Sequence, residues 1–224
     1  MNLVDPEGEV IVKSSEQLWS KHKSRIENKV QRIQNRLDRL SNRNITTGRR
    51  VSSLLERLNG LNSVLGIINT LEESPQKYSL SQSNTEMGGL KYYSESGIIE
   101  ISLLGDTGSF VHEITHAGQF ESGDIAFSIS NGNTYAQDIY DELEAYTNQA
   151  YYENTPASSI TIDSISRITD SSGNLVYSLK GVAHTAQTPI SINTPLPEVY
   201  RAYIVNEIAE NIQLWEMVDV YYKR

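Results

Sequence analysis

His112 and His116 stand four residues apart with Glu113 directly after the first, and the stretch His112-Glu113-Ile114-Thr115-His116 constrains this chain more than any other. Residues four apart lie one above the other only on an α-helix, so two imidazoles at this spacing converge only if the segment is helical. So placed, they can grip one metal ion. Glu113 then lies beside the ion's open position, where a carboxylate can take a proton from water. The flanks support a helix. Ile98 to Leu104 is a β-branched, apolar run that reads as a strand, and Gly105-Asp106-Thr107-Gly108-Ser109 is a polar turn in which Asp106, Thr107 or Ser109 can cap a helix. The spacing predicts a helix from about Ser109 to Phe120, ending near Gly123. Phe110, Ile114 and Ala117 form its core stripe, and both His point away from that stripe.

Two His leave a metal site incomplete, because a catalytic ion usually takes three protein ligands and keeps one position for water or substrate. The chain has no Cys, which removes thiolates and disulfides from consideration. Gln119 and Ser122 occupy the positions where a Gly and a third His would continue the motif, so the ligand must be an acid further on or, less favourably, His184. Thr134 to Asn154 carries a second helical pattern, with Ile139, Leu143, Tyr146 and Ala150 at 4, 3 and 4 spacing. Of its three acids, Glu142 projects roughly 70° from the centre of that stripe, Glu144 about 130° and Asp141 about 170°. A carboxylate near a buried face is costly unless something pairs with it. Glu142 is therefore the expected third ligand, with Glu144 in reserve.

A strand, a His-Glu-x-x-His helix and a second helix bearing Glu142-Leu143-Glu144-Ala145 together resemble a gluzincin-type zincin metallopeptidase. The resemblance implies an α+β, zincin-like fold with a small sheet beside the motif helix, and one Zn²⁺ held by His112, His116 and Glu142. It further implies that Glu113 acts as general base toward water and then as proton donor to the leaving amine. Beside such a site, the Ile98 to Leu104 strand is the candidate edge for pairing with an extended substrate. The family often places an Asp four residues after the ligand Glu to orient the first His; Tyr146 stands there instead, which puts that role in doubt. It also uses a downstream side chain to stabilise the oxyanion, and His184, Tyr200, Arg201 and Tyr203 are all available.

A second resemblance concerns the beginning of the chain. Asn2-Leu3-Val4-Asp5-Pro6-Glu7-Gly8 is similar to the end of the core domain in bacterial Rhs-repeat proteins, after which a variable C-terminal toxin domain begins. Leu71-Glu72-Glu73-Ser74 with Tyr78-Ser79-Leu80, then His112 to Gly123 and Tyr140 to Gln149, resemble metallopeptidase domains found at such C-termini. The likeness covers roughly residues 2 to 150. It implies that Met1 is not the natural start, that the domain is delivered into a target cell as part of a larger parent, that its substrate is a target-cell protein, and that a cognate immunity protein neutralises it. Two other readings fit the same motif: a zinc amidase acting on peptidoglycan peptides, and a non-catalytic binding module stabilised by zinc.

At 224 residues the chain can bury a proper core. The expected divisions are a leader over 1–12, a helical hairpin over 13–75 and a metallopeptidase core over 76–224, with 13 to 224 forming one folding unit. Charge is uneven: residues 1–12 carry −3, 13–50 carry +8 and 51–224 carry −14. The basic block coincides with a helical pattern, Leu18, His22, Ile26, Val30, Ile33, Leu37 and Leu40. A second pattern, Leu54, Leu58, Leu61, Leu65 and Ile68, comes after the loop Ser41 to Gly48. The two predict an antiparallel hairpin whose basic face is solvated or lies on the acidic body, with no nucleic-acid partner. No signal peptide or membrane span is expected, the apolar runs being too short. Beyond residue 155, Ile160 to Ile162 and Leu175 to Tyr177 are expected to form a hairpin around Asp170 to Asn174. A C-terminal helix is expected after Pro195 and Pro197, with Tyr200, Ile204, Ile208 and Trp215 on one side.

Overall fold

The computed structural model describes residues 10–83, 88–127, 132–135, 137, 139–174 and 176–177. The leader motif at 2–8, the expected C-terminal helix, and His184, Tyr200, Arg201 and Tyr203 lie outside them. Among the described residues the chain is a mixed α+β structure of five α-helices and a three-stranded sheet, with a further two-stranded ladder.

Two long helices come first, α1 over Glu16–Ser41 and α2 over Arg49–Glu73. Their apolar stripes face each other: Trp19, Ile26, Ile33 and Leu40 of α1 are buried, as are Leu54, Leu58, Leu61 and Ile68 of α2. The pair is antiparallel. At its base the Trp19 indole donates to Glu72 at 2.9 Å, and the Lys23 ammonium meets the same carboxylate at 2.6 Å. Gly48, at φ 104°, turns the chain into α2, in a backbone region that favours glycine. Of the basic residues, Arg32, Arg36, Arg39 and Arg43 are solvated, the first of the two alternatives for this face. Lys29 and Arg57 instead lie on the body. Arg57 donates to the carbonyl oxygens of Tyr151 and Tyr152, and Lys29 to that of Tyr152, so two cations sit at the end of a later helix where its carbonyls lack partners.

The sheet corrects one expectation. Strand β1 spans Lys77–Gln82, β2 Gly89–Tyr93 and β3 Ile98–Leu103, in the order β1-β3-β2. The Ile98 run is therefore the central strand, parallel to β1 and antiparallel to β2, and not a free edge for a substrate. Its alternating Ile99, Ile101 and Leu103 are fully buried, which explains why so apolar a run belongs in the middle. The outer side of β1 is closed in part by the incoming chain: Val12 N donates to Tyr78 O at 2.9 Å, and Tyr78 N to Val10 O at 2.8 Å.

Helix α3, Thr107–Ser122, runs back from β3. Asp106 is its cap, accepting from Ser109 N at 2.9 Å, and Gly123 ends it in the left-handed conformation at φ 88°. After the ladder of β4 (Ala126–Phe127) and β5 (Thr134–Tyr135), helix α4 spans Ile139–Glu153. It starts five residues later than the sequence pattern suggests, because Thr134 and Tyr135 pair with β4. Its buried face also differs: Ile139, Glu142, Ala145 and Asn148 face inward, while Leu143 and Tyr146 are only partly covered. Gly60 of α2 lets α4 come close, since a methyl group there would overlap the Tyr151 ring. Ile162, expected in a strand, begins the short helix α5, Ile162–Ile165, held by a capping box between Thr161 and Ser164. The turn at Asp170 to Asn174 is as expected, with Gly173 N donating to Asp170 O at 3.0 Å, but Val176 N pairs with Ile168 O at 2.9 Å and not with residues 160–162.

Candidate metal centre

Helix α3 carries two different buried faces. Phe110, Ile114 and Ala117 pack into the apolar core, as their spacing requires. His112, Glu113 and His116 point the other way but are covered too, because α4 lies across them. On α4, Glu142 is 5 % exposed and faces the two imidazoles. His112 Nε2 and His116 Nε2 are 3.2 Å apart. Each lies 3.5 Å from a Glu142 carboxylate oxygen, His112 from Oε2 and His116 from Oε1.

This triangle fits a metal ion. Bonds of roughly 2.0–2.2 Å at tetrahedral angles put neighbouring donors about 3.3–3.5 Å apart. Glu142 Oε2 and His112 Nδ1 are buried without a hydrogen-bond partner among the described residues, and for Oε2 a cation at the centre of the triangle would supply the missing partner. Two nitrogens and one oxygen form a donor set suited to a transition-series dication. His112, His116 and Glu142 are the only group of three or more His, Asp or Glu among the described residues arranged to hold a metal ion.

The electrostatics agree with this use. Burial alone would lower the His116 pKa, but the hydrogen bond and charge of Glu142 outweigh it and raise the imidazole to about 9. Burial pushes the Glu142 carboxyl the opposite way from its His partners, and their hydrogen bonds and charges win, holding it well below the usual carboxylate range. A proton on His116 thus takes the place of a cation when none is bound, and a metal entering at neutral pH must expel it. Glu113 is 6 % exposed. Burial raises its carboxyl, the nearby imidazoles oppose this, and Glu142 adds to it. It is not a member of the ligand triangle.

The supporting groups are partly unexpected. His116 Nδ1 meets Gln119 Oε1 at 2.7 Å, and the Gln119 amide donates to Asp141 O at 3.0 Å and to Glu144 Oε2 at 2.9 Å. Glu144, the reserve ligand, is thus exposed and holds Gln119 without entering the triangle. Gln119 is legible in the sequence: three residues after His116 on a helix, it shares that face. Gln137 donates to Glu142 Oε1 at 2.6 Å from outside any helix, where no spacing rule reaches. Tyr146 does not take over the missing Asp's role through a hydrogen bond. Its ring packs edge-on against His112 with centroids 4.4 Å apart, and its hydroxyl lies 3.1 Å from that of Tyr177. Tyr177, 35 residues beyond Glu142, has no sequence signal of any kind.

Two cavities of about 490 and 330 Å³ open beside the triangle, and His112, Glu113 and Tyr177 line both. The larger extends toward Asp106, Glu153 and Asp170, the smaller toward Leu90, Thr134 and Gln137. No helix among the described residues is long and apolar enough to cross a membrane. No family model, no curated protein and no solved structure matches the chain.

Proposed function

We propose that this chain is a zinc metallopeptidase of the gluzincin kind, hydrolysing peptide bonds in a protein of a target cell. One observation carries the reading: the His112, His116 and Glu142 donors converge within 3.5 Å on the floor of a cleft, beside a buried Glu113 that is not needed as a ligand. Zinc bound there would supply a Lewis acid that polarises a carbonyl and makes water easier to deprotonate. Glu113 receives the proton from water and passes it to the leaving amine. Gln119 fixes the ring orientation of His116. Tyr177 is the described residue we assign as donor to a developing oxyanion, since it lines both cavities beside Glu113. An extended substrate would run along the start of β2, where Gly88, Gly89 and Leu90 line the smaller cavity, and not along the central β3.

The zincin-like fold and the biological setting belong to the same proposal. The resemblance to Rhs C-terminal domains supports delivery within a larger parent, a toxic outcome for the recipient cell and a cognate immunity protein. Elemental analysis tests the centre: near-stoichiometric zinc is expected in wild type and a loss in both His112→Ala and Glu142→Ala. Glu113→Gln should keep the zinc and lose hydrolysis of a denatured-protein substrate. A wild type that takes up no zinc even when it is supplied would end the peptidase reading.

A further inference from the structure

The two cavities beside the metal centre differ in charge. Among the described residues, the smaller is lined by no charged group beyond the ligand triangle and Glu113. The larger, about 490 Å³, adds three carboxylates, Asp106, Glu153 and Asp170, and among the described residues no Lys or Arg lines it. Its volume is that of an ordinary ligand pocket. Two of these carboxylates lean toward one spot. A side chain on Gly108 would bring its first carbon within 2.5 Å of Glu153 Oε1 and 3.2 Å of Asp106 Oδ1, so the glycine leaves a gap that two like charges share. Their present partners are neutral: Gln149 donates to Glu153 Oε1 at 2.7 Å, and Ser109 N to Asp106 Oδ1 at 2.9 Å. Lys29 feels the charge of both Glu153 and Asp106, but its ammonium donates to the Tyr152 carbonyl and does not line the cavity; Arg25 is held on the Thr107 hydroxyl.

A bound metal ion is not what this cavity fits, because the three carboxylates do not converge as metal ligands. An elongated cation fits better. Leu104, Tyr146, Ile168 and Val176 form apolar walls along which an aliphatic stem can lie, with the carboxylates at the open rim to meet a charged head. The cavity also reaches Glu113, which is 6 % exposed and has no hydrogen-bond partner among the described residues, so an occupant lies directly beside the reacting bond.

We infer that the larger cavity is a subsite for a Lys or Arg side chain of the substrate polypeptide, next to the scissile bond. The inference rests on the peptidase reading and names its substrate class: peptides with a cationic residue on the Asp106 and Glu153 side of the cleavage point. The smaller cavity, lacking those carboxylates, accepts a neutral side chain.

Retention of peptides on zinc-loaded Glu113→Gln protein tests this without requiring turnover. Two pools of capped octapeptides are compared by equilibrium dialysis and mass spectrometry, one with a fixed central Arg and one with citrulline, which keeps the shape and removes the charge. Each exposed carboxylate should contribute roughly 1.4-fold to fivefold, so the Arg pool should be retained about threefold better or more. Asp106→Asn, Glu153→Gln and Asp170→Asn combined should erase that preference, and Asn preserves the helix cap at 106. Zinc content and the thermal melt report whether the triple variant still folds, and Glu153→Gln alone should give a partial loss in any case. Equal retention of both pools, or an Arg preference that survives the triple change, overturns the subsite. Cleavage by wild type is scored separately: absence of cleavage in every pool would sink the peptidase reading while leaving the retention result to stand or fall alone.

Discussion

The hairpin of α1 and α2 and the crossing of α3 and α4 are both pairs of packed helices, yet they bury opposite things. The hairpin covers Ile, Leu and Val, and among its buried side chains His22 is the only titratable one. The α3–α4 crossing buries His112, Glu113, Thr115, His116 and Gln119 from one side and Glu142 and Asn148 from the other. Apolar burial stabilises a fold by itself, whereas buried polar groups must be matched one by one. Thr115 and Asn148 match each other at 3.2 Å, and Gln119 serves His116. Glu142 Oε2 and His112 Nδ1 remain unmatched. The hairpin is therefore the part that holds the molecule together, and the crossing is the part that spends stability on a site.

The sharpest way to break this comparison is to truncate both. Leu61→Ala, at a fully buried position of α2, should cost roughly 2–5 kcal/mol in urea unfolding. In metal-free protein the double change His116→Leu with Glu142→Met should cost nothing or stabilise, since apolar side chains of similar size replace both members of a buried pair together with their desolvation penalty, whereas Glu142→Met alone strands the charge on His116. Equal losses in the two variants would mean that the crossing is ordinary core.

Zinc should reverse the ranking. At a thousandfold excess over its Kd the metal should raise wild-type stability by about 4 kcal/mol, and His112→Ala should show no such gain. Thermal melts with and without added zinc read this directly.

A smaller effect is expected from the hairpin's one buried imidazole. His22 stacks on Phe110, its Nδ1 lies 2.9 Å from Thr107 Oγ1, and burial with Arg25 and Lys21 nearby lowers its pKa to about 4. The unfolded chain protonates this residue near pH 6.5 while the fold keeps it neutral down to about pH 4. Unfolding thus takes up a proton across that window, and stability falls as pH falls through it, by at most about 3 kcal/mol. His22→Phe should remove that dependence, so the difference between the two proteins should change between pH 7 and pH 4 and be flat above. A constant difference would show that His22 is not kept neutral by the fold.

The finest distinction lies within the crossing. Gln119→Leu should weaken zinc binding by roughly 10–100-fold through loss of His116 orientation, and lower the zinc-free stability by about 1–3 kcal/mol because His116 Nδ1 loses its partner. Competition with a chelator measures the first and urea unfolding the second.

Legibility divides along the same line. Both hairpin helices, their facing stripes and the β3 strand can be read from periodicity, because apolar spacing is a local signal. Trp19 escapes that reading on α1 because it sits one position beyond Leu18, in a stripe that the 4 and 3 spacing already fills. The α4 stripe is misplaced for the opposite reason: spacing counts Leu143 as core and Glu142 as its flank, whereas the helix turns its carboxylate inward and leaves Leu143 half covered. Hydrophobicity cannot announce a face that is buried because it is polar. The order β1-β3-β2 is likewise out of reach, since an apolar strand looks the same at a covered edge as in the middle.

By itself the sequence determined the helical frame and the pairing of the two imidazoles: the 3.6-residue turn forces His112 and His116 onto one face and brings Gln119 to that face too. It also marked Glu142 as the acid whose burial would need a reason. Only the tertiary structure decided that α4 crosses α3 at the height of Glu142, that Glu144 holds Gln119, and that Tyr177 and the three rim carboxylates surround the cleft. Those positions are set by how helices pack across gaps of twenty to sixty residues, and no local period encodes a distance that the intervening chain is free to choose.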